Sequence, residues 1–214
     1  MKAVLALVLV CLTGVMAIYW QTDGFTVVTT EAARRAAIEY QPKPLPDAAL
    51  WFEPVLSDKL LHNLKSDGRV AIVNFMYTGC MSVCLAVGSG FQQLQRAIQE
   101  QALSHQIRLL SISFDPADTP AALARYARQM HSDSAIWQFA SVPDPQQRKN
   151  LLNAFGIIVV PAPLGQFEHN AAYHIVMADG RLAKIIDYDS SQDILKVAAL
   201  QRRPNKNGSR RGLD

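Results

Sequence analysis

The stretch VAIVNFMYTGCMSVC, Val70 to Cys84, constrains this chain more than any other. An apolar, β-branched run from Val70 to Tyr77 stops at Thr78-Gly79 and delivers Cys80 and Cys84 onto the expected start of a helix. Strand, turn, thiols, helix is an order with a chemical logic. A helix N-terminus carries partial positive charge and unpaired N–H groups, so a cysteine placed there ionises more readily than one in free solution. The thiolate is the form that attacks disulfides and the form that binds metal.

Spacing narrows the chemistry. Residues four apart on a helix share a face, with Cβ atoms about 5–6 Å apart, whereas a disulfide needs about 3.5–4.5 Å. A soft metal ion, with bonds to sulfur of about 2.3 Å in the zinc case, bridges the gap with less strain. The pair therefore permits redox chemistry and suits a metal. A purely structural disulfide across so short a loop would add only about 2 kcal/mol on the chain-entropy formula, against about 5 kcal/mol for a loop of roughly a hundred residues. Two unconnected core cysteines are the bland alternative.

Charge excludes one class of function. The 214 residues carry a formal charge of +3, and the segment Gln201 to Asp214 holds five of the Lys and Arg with one acid. The rest is close to neutral, so no nucleic-acid surface is indicated. Of three cysteines, Cys11 lies in an uncharged apolar run from Ala3 to Gln21 that reads as an export or anchoring segment. Val15-Met16-Ala17 fits a cleavage site; alternatively the run spans a bilayer once, ending in the interfacial pair Tyr19-Trp20 with Lys2 inside. Either way the remainder lies outside the cytoplasm, in the cell envelope on the periplasmic side of the inner membrane, where a thiol pair is oxidised unless reduced or metal-bound.

The rest of the chain supplies the scaffold. Thr29 or Thr30 caps a short helix, Glu31 to Tyr40, followed by the stiff spacer Pro42 to Pro46. After the cysteines the pattern reads helix Gly88–Gln101, strand Ile107–Phe114, helix Ala121–Met130 with Thr119 as N-cap and Pro120 at its first position. Strand Ile136–Ser141 and helix Pro145–Phe155, ended by Gly156, follow. Ile157 to Glu168, rich in Pro and Gly, reads as a loop over the thiols. Tyr173–Met177 and Leu182–Tyr188 form a hairpin on an Asp-Gly turn, and Ser191–Leu200 is a closing helix. The expected organisation is a membrane or export segment at 1–21, a stalk at 22–48, an α/β thioredoxin-like domain with a central mixed sheet flanked by helices at 49–200, and a flexible basic tail at 201–214. Thiols at the carboxyl end of the first central strand stand where α/β sheets collect their chemistry.

Three features at this point resemble the Sco, or SenC, proteins, thioredoxin-fold copper carriers that assemble the copper site of cytochrome c oxidase. Phe75-Met76-Tyr77-Thr78-Gly79-Cys80, with Cys84 following, resembles the family's F-x-Y-T-x-C-x-x-x-C. Ser113 to Pro120 resembles its S-x-D-P-x-x-D-T-P with one residue fewer between the aspartates. The family also has a histidine ten residues before the Asp of a hairpin Asp-Gly, and His169 stands ten before Asp179. The resemblance covers roughly residues 49–200. The sequence departs from the family at Met81 and Leu85, where prolines usually follow the cysteines, and at Glu168, where an aspartate usually precedes the histidine.

What the resemblance implies is copper held by Cys80, Cys84 and His169, passed to a recipient such as a cytochrome oxidase subunit, with a thiol reductant protein keeping the pair reduced. Soft thiolates select Cu(I), and one imidazole lets such a site hold Cu(II) as well. The rival is a thiol–disulfide oxidoreductase acting on protein cysteines, including those of a copper site. There Cys80, the more exposed thiol, attacks and Cys84 resolves as its redox partner. His174 falls in a strand; His62, His105 and His131 sit on surface elements. Asp115 and Asp118 read as loop and cap residues, and Met76 as a core residue.

Overall fold

The computed structural model describes residues 2–22, 24, 29–52, 56–80, 83–188 and 193–201; of residues 83–86 and of Leu56 only the backbone is described. The basic tail beyond Gln201, Met81, and the side chains of Cys84 and Leu85 lie outside them. The chain divides into compact units at 1–42 and 43–214. In the first, α1 (Lys2–Gln21) is a 20-residue helix of mean hydropathy 2.4 with no buried residue, long and apolar enough to cross a membrane. Helix α2 (Thr30–Tyr40) starts where the Thr29 hydroxyl accepts from the Ala32 N–H at 3.1 Å, as the threonines predict.

The second unit is built on an eight-stranded mixed sheet. Its strands are β1 (Lys43–Pro44), β2 (Ala49–Phe52), β3 (Leu56–Lys59), β4 (Val70–Met76), β5 (Ile107–Ser113), β6 (Trp137–Ser141), β9 (Ala172–Val176) and β10 (Arg181–Asp187), in the order β1-β10-β9-β4-β5-β6-β2-β3. A separate two-stranded hairpin is formed by β7 (Val159–Ala162) and β8 (Gln166–His169). Strands β4, β5 and β6 run parallel, with Val70 opposite Ile107 and Met76 opposite Ser113. Every residue of β4 and β5 is buried, which is why both read as mostly apolar runs rather than alternations. One polar stitch crosses this core: the Ser111 hydroxyl donates to Asn74 Oδ1 at 2.6 Å and accepts from the Trp137 indole N–H at 2.9 Å. All three groups would otherwise be buried unsatisfied, at a cost of about 1–3 kcal/mol each.

Helices α3 (Leu60–Asp67), α4 (Val83–Glu100), α5 (Pro120–Gln129), α6 (Pro145–Phe155) and α7 (Ile194–Gln201) complete the unit. Local chemistry sets their ends. Thr119 caps α5 by accepting from the Ala122 N–H at 3.2 Å, with Pro120 in the first turn. Asp144 caps α6 at 2.7 Å, and Gly156 ends it in the left-handed region at φ 71°.

Four expectations are corrected. Lys43–Pro44, expected within the spacer, joins the sheet edge beside β10, where a proline costs no ladder bond. Leu50 to Leu64, which the sequence marks only as apolar positions at the domain edge, contributes to the antiparallel pair β2 and β3 and opens α3. Helix α4 begins at Val83 rather than Gly88, because a Gly-Ser-Gly run at 88–90 hid the helical period. Residues 159–169 are a hairpin rather than a loop, their prolines standing at its turn and edge.

Gly90 explains why α4 carries that run. A Cβ there would collide with the Tyr173 hydroxyl, which reaches from β9 to donate to the Val87 carbonyl at 3.3 Å. Gly90→Ala is expected to destabilise the protein by about 1–3 kcal/mol through overpacking, and Tyr173→Phe in the same chain to recover part of that, measured by denaturant unfolding. Burial also pushes the Tyr173 phenol up to about 12. Its folded value exceeds the unfolded one, so its contribution is complete below pH of about 10 and falls as pH rises above that. Tyr173→Phe should accordingly flatten the alkaline limb of the stability curve.

Candidate functional site

The site grows from the carboxyl end of β4. Tyr77 closes the strand, Thr78 and Gly79 turn the chain, and the Cys80 N–H bonds back to the Tyr77 carbonyl at 3.4 Å. That turn buries Cys80, which is 4% exposed. Cys80 thus precedes α4, whereas Cys84 is the second residue of the helix. One expectation falls: Cys80 is buried rather than exposed.

Asp118 holds this turn. It is 7% exposed and accepts three hydrogen bonds: from the Thr78 N–H at 2.8 Å, the Thr78 hydroxyl at 2.5 Å and the Ser113 hydroxyl at 2.5 Å. Parallel pairing makes this possible, since Met76 lies opposite Ser113 and the loops leaving β4 and β5 emerge side by side. Asp115 shapes its own loop, accepting from the Ala117 N–H at 2.8 Å, as the sequence predicts. Asp118, read as a loop or cap residue, is instead the anchor of the cysteine turn. The available signal was an acid in the loop after the neighbouring parallel strand, where backbone N–H groups of the adjacent turn need an acceptor.

The hairpin brings in the histidine. Phe167 and His169 alternate along β8 and both meet the aromatic rings flanking the turn. Phe167 lies 5.3 Å from Tyr77 and 5.7 Å from Phe114, and His169 lies 5.0 Å from Phe114, between ring centres. Tyr77 and Phe114 are themselves 5.4 Å apart. The Tyr77 hydroxyl accepts from the Phe167 N–H at 3.2 Å and stands 3.0 Å from Gln166 Oε1. The strand carrying His169 is therefore stapled to the residue three before Cys80.

His169 is partly buried, and burial lowers its basicity, offset in part by the Asn170 carbonyl 3.0 Å from Nδ1. A carbonyl only accepts, so Nδ1 carries the proton and Nε2 the lone pair. His174 is excluded from the site: it is 1% exposed, edge-on to Phe155 and Phe75, with Nδ1 3.3 Å from the Val73 carbonyl. His62, His105 and His131 are exposed, and Met76 packs in the core, as expected. Among the described residues no three His, Cys, Asp or Glu side chains cluster closely enough to hold a metal. The expected set includes the Cys84 side chain, which lies outside that search.

A central mixed sheet flanked by helices, with a cysteine turn after its central parallel strand, defines a thioredoxin-like protein. More narrowly, the SCO1/SenC family model matches residues 56–202, and the chain belongs to that family. A SCO1 protein homolog from Bacillus subtilis (strain 168) is 26% identical over 136 residues, covering 62% of this chain and 67% of that protein. Yeast Sco1 with copper bound superposes with a TM-score of 0.64 at 15% identity, covering 80% of this chain and 96% of that one. BsSco, a member of the Sco family of cytochrome c oxidase assembly proteins described as having a disulfide switch, gives 0.62 at 23% identity, covering 76% and 95%.

A double-mutant cycle tests the anchor. Asp118→Asn and Thr78→Val should each destabilise the protein, with a coupling of about 1–3 kcal/mol in denaturant unfolding. Strictly additive effects would contradict the bonds between them.

Proposed function

We propose that the protein captures copper with Cys80, Cys84 and His169 and delivers it to a cuproenzyme such as cytochrome c oxidase. The observation that carries this reading is the stapling of the His169 strand to Tyr77, three residues before Cys80, with the imidazole packed against Phe114. Family membership supports the same reading, as do copper bound in yeast Sco1 and the assembly role of the family to which BsSco belongs.

The donor set fits a soft ion. Two thiolates and an imidazole favour Cu(I), whereas Asp118, the carboxylate bonded to the turn, is occupied by three hydrogen bonds. His169 binds through a lone pair it already has, with its proton held on Nδ1 by Asn170. The thiols each surrender a proton on binding, so capture releases protons and affinity rises with pH. Delivery proceeds by ligand exchange, a recipient's donors replacing these three. A thiol reductant protein keeps the pair able to bind.

Burial of Cys80 weighs against the thiol–disulfide enzyme as the main activity, since a substrate disulfide must reach the attacking sulfur. We place the domain on the outer face of a membrane, with α1 as its anchor or as a cleaved export segment.

An anaerobic Cu(I) competition titration is the test. One-to-one binding should weaken sharply in His169→Ala and be lost in Cys80→Ser or Cys84→Ser; unchanged affinity in His169→Ala would remove the histidine from the site. The pH dependence has a defined sign. Affinity falls as pH falls because thiols reprotonate, and since burial lowers the basicity of His169, the histidine adds little to the slope above about pH 6.5, which should be nearly the same in His169→Ala.

A further inference from the structure

Asn170 directly follows the candidate ligand and makes three bonds at the base of the hairpin. Its Oδ1 accepts from the Ile158 N–H at 2.8 Å, its Nδ2 donates to the Gly156 carbonyl at 2.9 Å, and its own carbonyl faces His169 Nδ1 at 3.0 Å. Gly156 ends α6, and Ile158 immediately precedes β7. One side chain therefore pins the backbone that enters the hairpin to the backbone that leaves it. Val159, the next residue after the pinned segment, is the register partner of His169.

This arrangement has a chemical consequence. A neutral imidazole can carry its proton on either nitrogen, and the hydrogen bond made by one nitrogen decides which one is left to bind a metal. Here the deciding acceptor is a main-chain carbonyl, so its aim depends on how the backbone at Asn170 is held. The hairpin is a two-stranded ribbon outside the main sheet, and such ribbons are marginal without added contacts. The side-chain clamp fixes the peptide at its base.

The structure assigns Asn170 as a positioning residue: by bonding Gly156 and Ile158 it holds its own carbonyl against His169 Nδ1–H, which makes Nε2 the metal-binding nitrogen. The inference rests on the reading of His169 as a copper ligand, and it extends that reading to a residue with no donor of its own in the site. An outer residue of this kind is worth about 10- to 100-fold in metal affinity. Asparagine suits the task because one side chain supplies both an acceptor for Ile158 and a donor for Gly156.

The experiment uses the full-length protein in detergent micelles. Nitrogen-15 labelling of histidine reports the His169 tautomer in the metal-free protein, and anaerobic Cu(I) competition reports affinity. Wild type should show the Nδ1–H tautomer. Asn170→Ala should mix the tautomers and weaken Cu(I) binding by about 10-fold, with no further loss when added to His169→Ala. Asn170→Asp keeps the bond from Ile158 and loses the donor to Gly156, so it should fall between and serves if the alanine variant folds poorly. An unchanged tautomer in Asn170→Ala would overturn the assignment, as would an equal loss of affinity in the His169→Ala background. Unchanged Cu(I) affinity in His169→Ala alone would sink the ligand reading, while the tautomer in the metal-free protein would still judge what Asn170 holds.

Discussion

The carboxylate of Asp118, buried and accepting from Thr78 twice and from Ser113 once, is the interaction on which the candidate site depends. A tight turn after a buried strand leaves backbone N–H groups without a ladder partner, and those shielded from solvent need an acceptor. Asp118 supplies one from the neighbouring loop, and the parallel register of β4 and β5 brings that loop within reach. With the turn fixed, Cys80 is buried ahead of α4. The thiol arrives at a defined place because a carboxylate two loops away in sequence requires it.

The second support is aromatic. Tyr77 and Phe114 end the two central parallel strands, and their rings receive Phe167 and His169 from β8. Edge-to-face contacts of this kind contribute about 0.5–1.5 kcal/mol each beyond the area they bury, enough to seat a hairpin that has no place in the main sheet. The same burial that seats His169 favours its neutral form. Packing and the copper reading thus agree on an uncharged imidazole.

Much of this was legible from residue order. The mostly apolar runs at 70–76 and 107–113 identified central strands because strands covered on both faces lack a regular polar alternation. Thr119-Pro120 and Gly156 marked helix ends because capping is local chemistry. Asp179-Gly180 marked the β9–β10 turn for the same reason, Gly180 standing at φ 86°. What escaped depends on tertiary contact. Val159 to His169 contains two prolines and a glycine, so its pairing could not be told from a loop without the rings that it packs against. The burial of Cys80 and the role of Asp118 arise between loops far apart in sequence, and no spacing rule reports them. Asn170 escaped because an asparagine beside a histidine reads as a turn residue until its partners at Gly156 and Ile158 are seen.

X-ray absorption spectroscopy of the full-length protein loaded with one equivalent of Cu(I) tests the central claim most directly. The expected spectrum shows two sulfur scatterers and one imidazole nitrogen around copper, with the imidazole signature lost in His169→Ala. A shell with fewer than two sulfurs, or one whose nitrogen component survives that substitution, would contradict it.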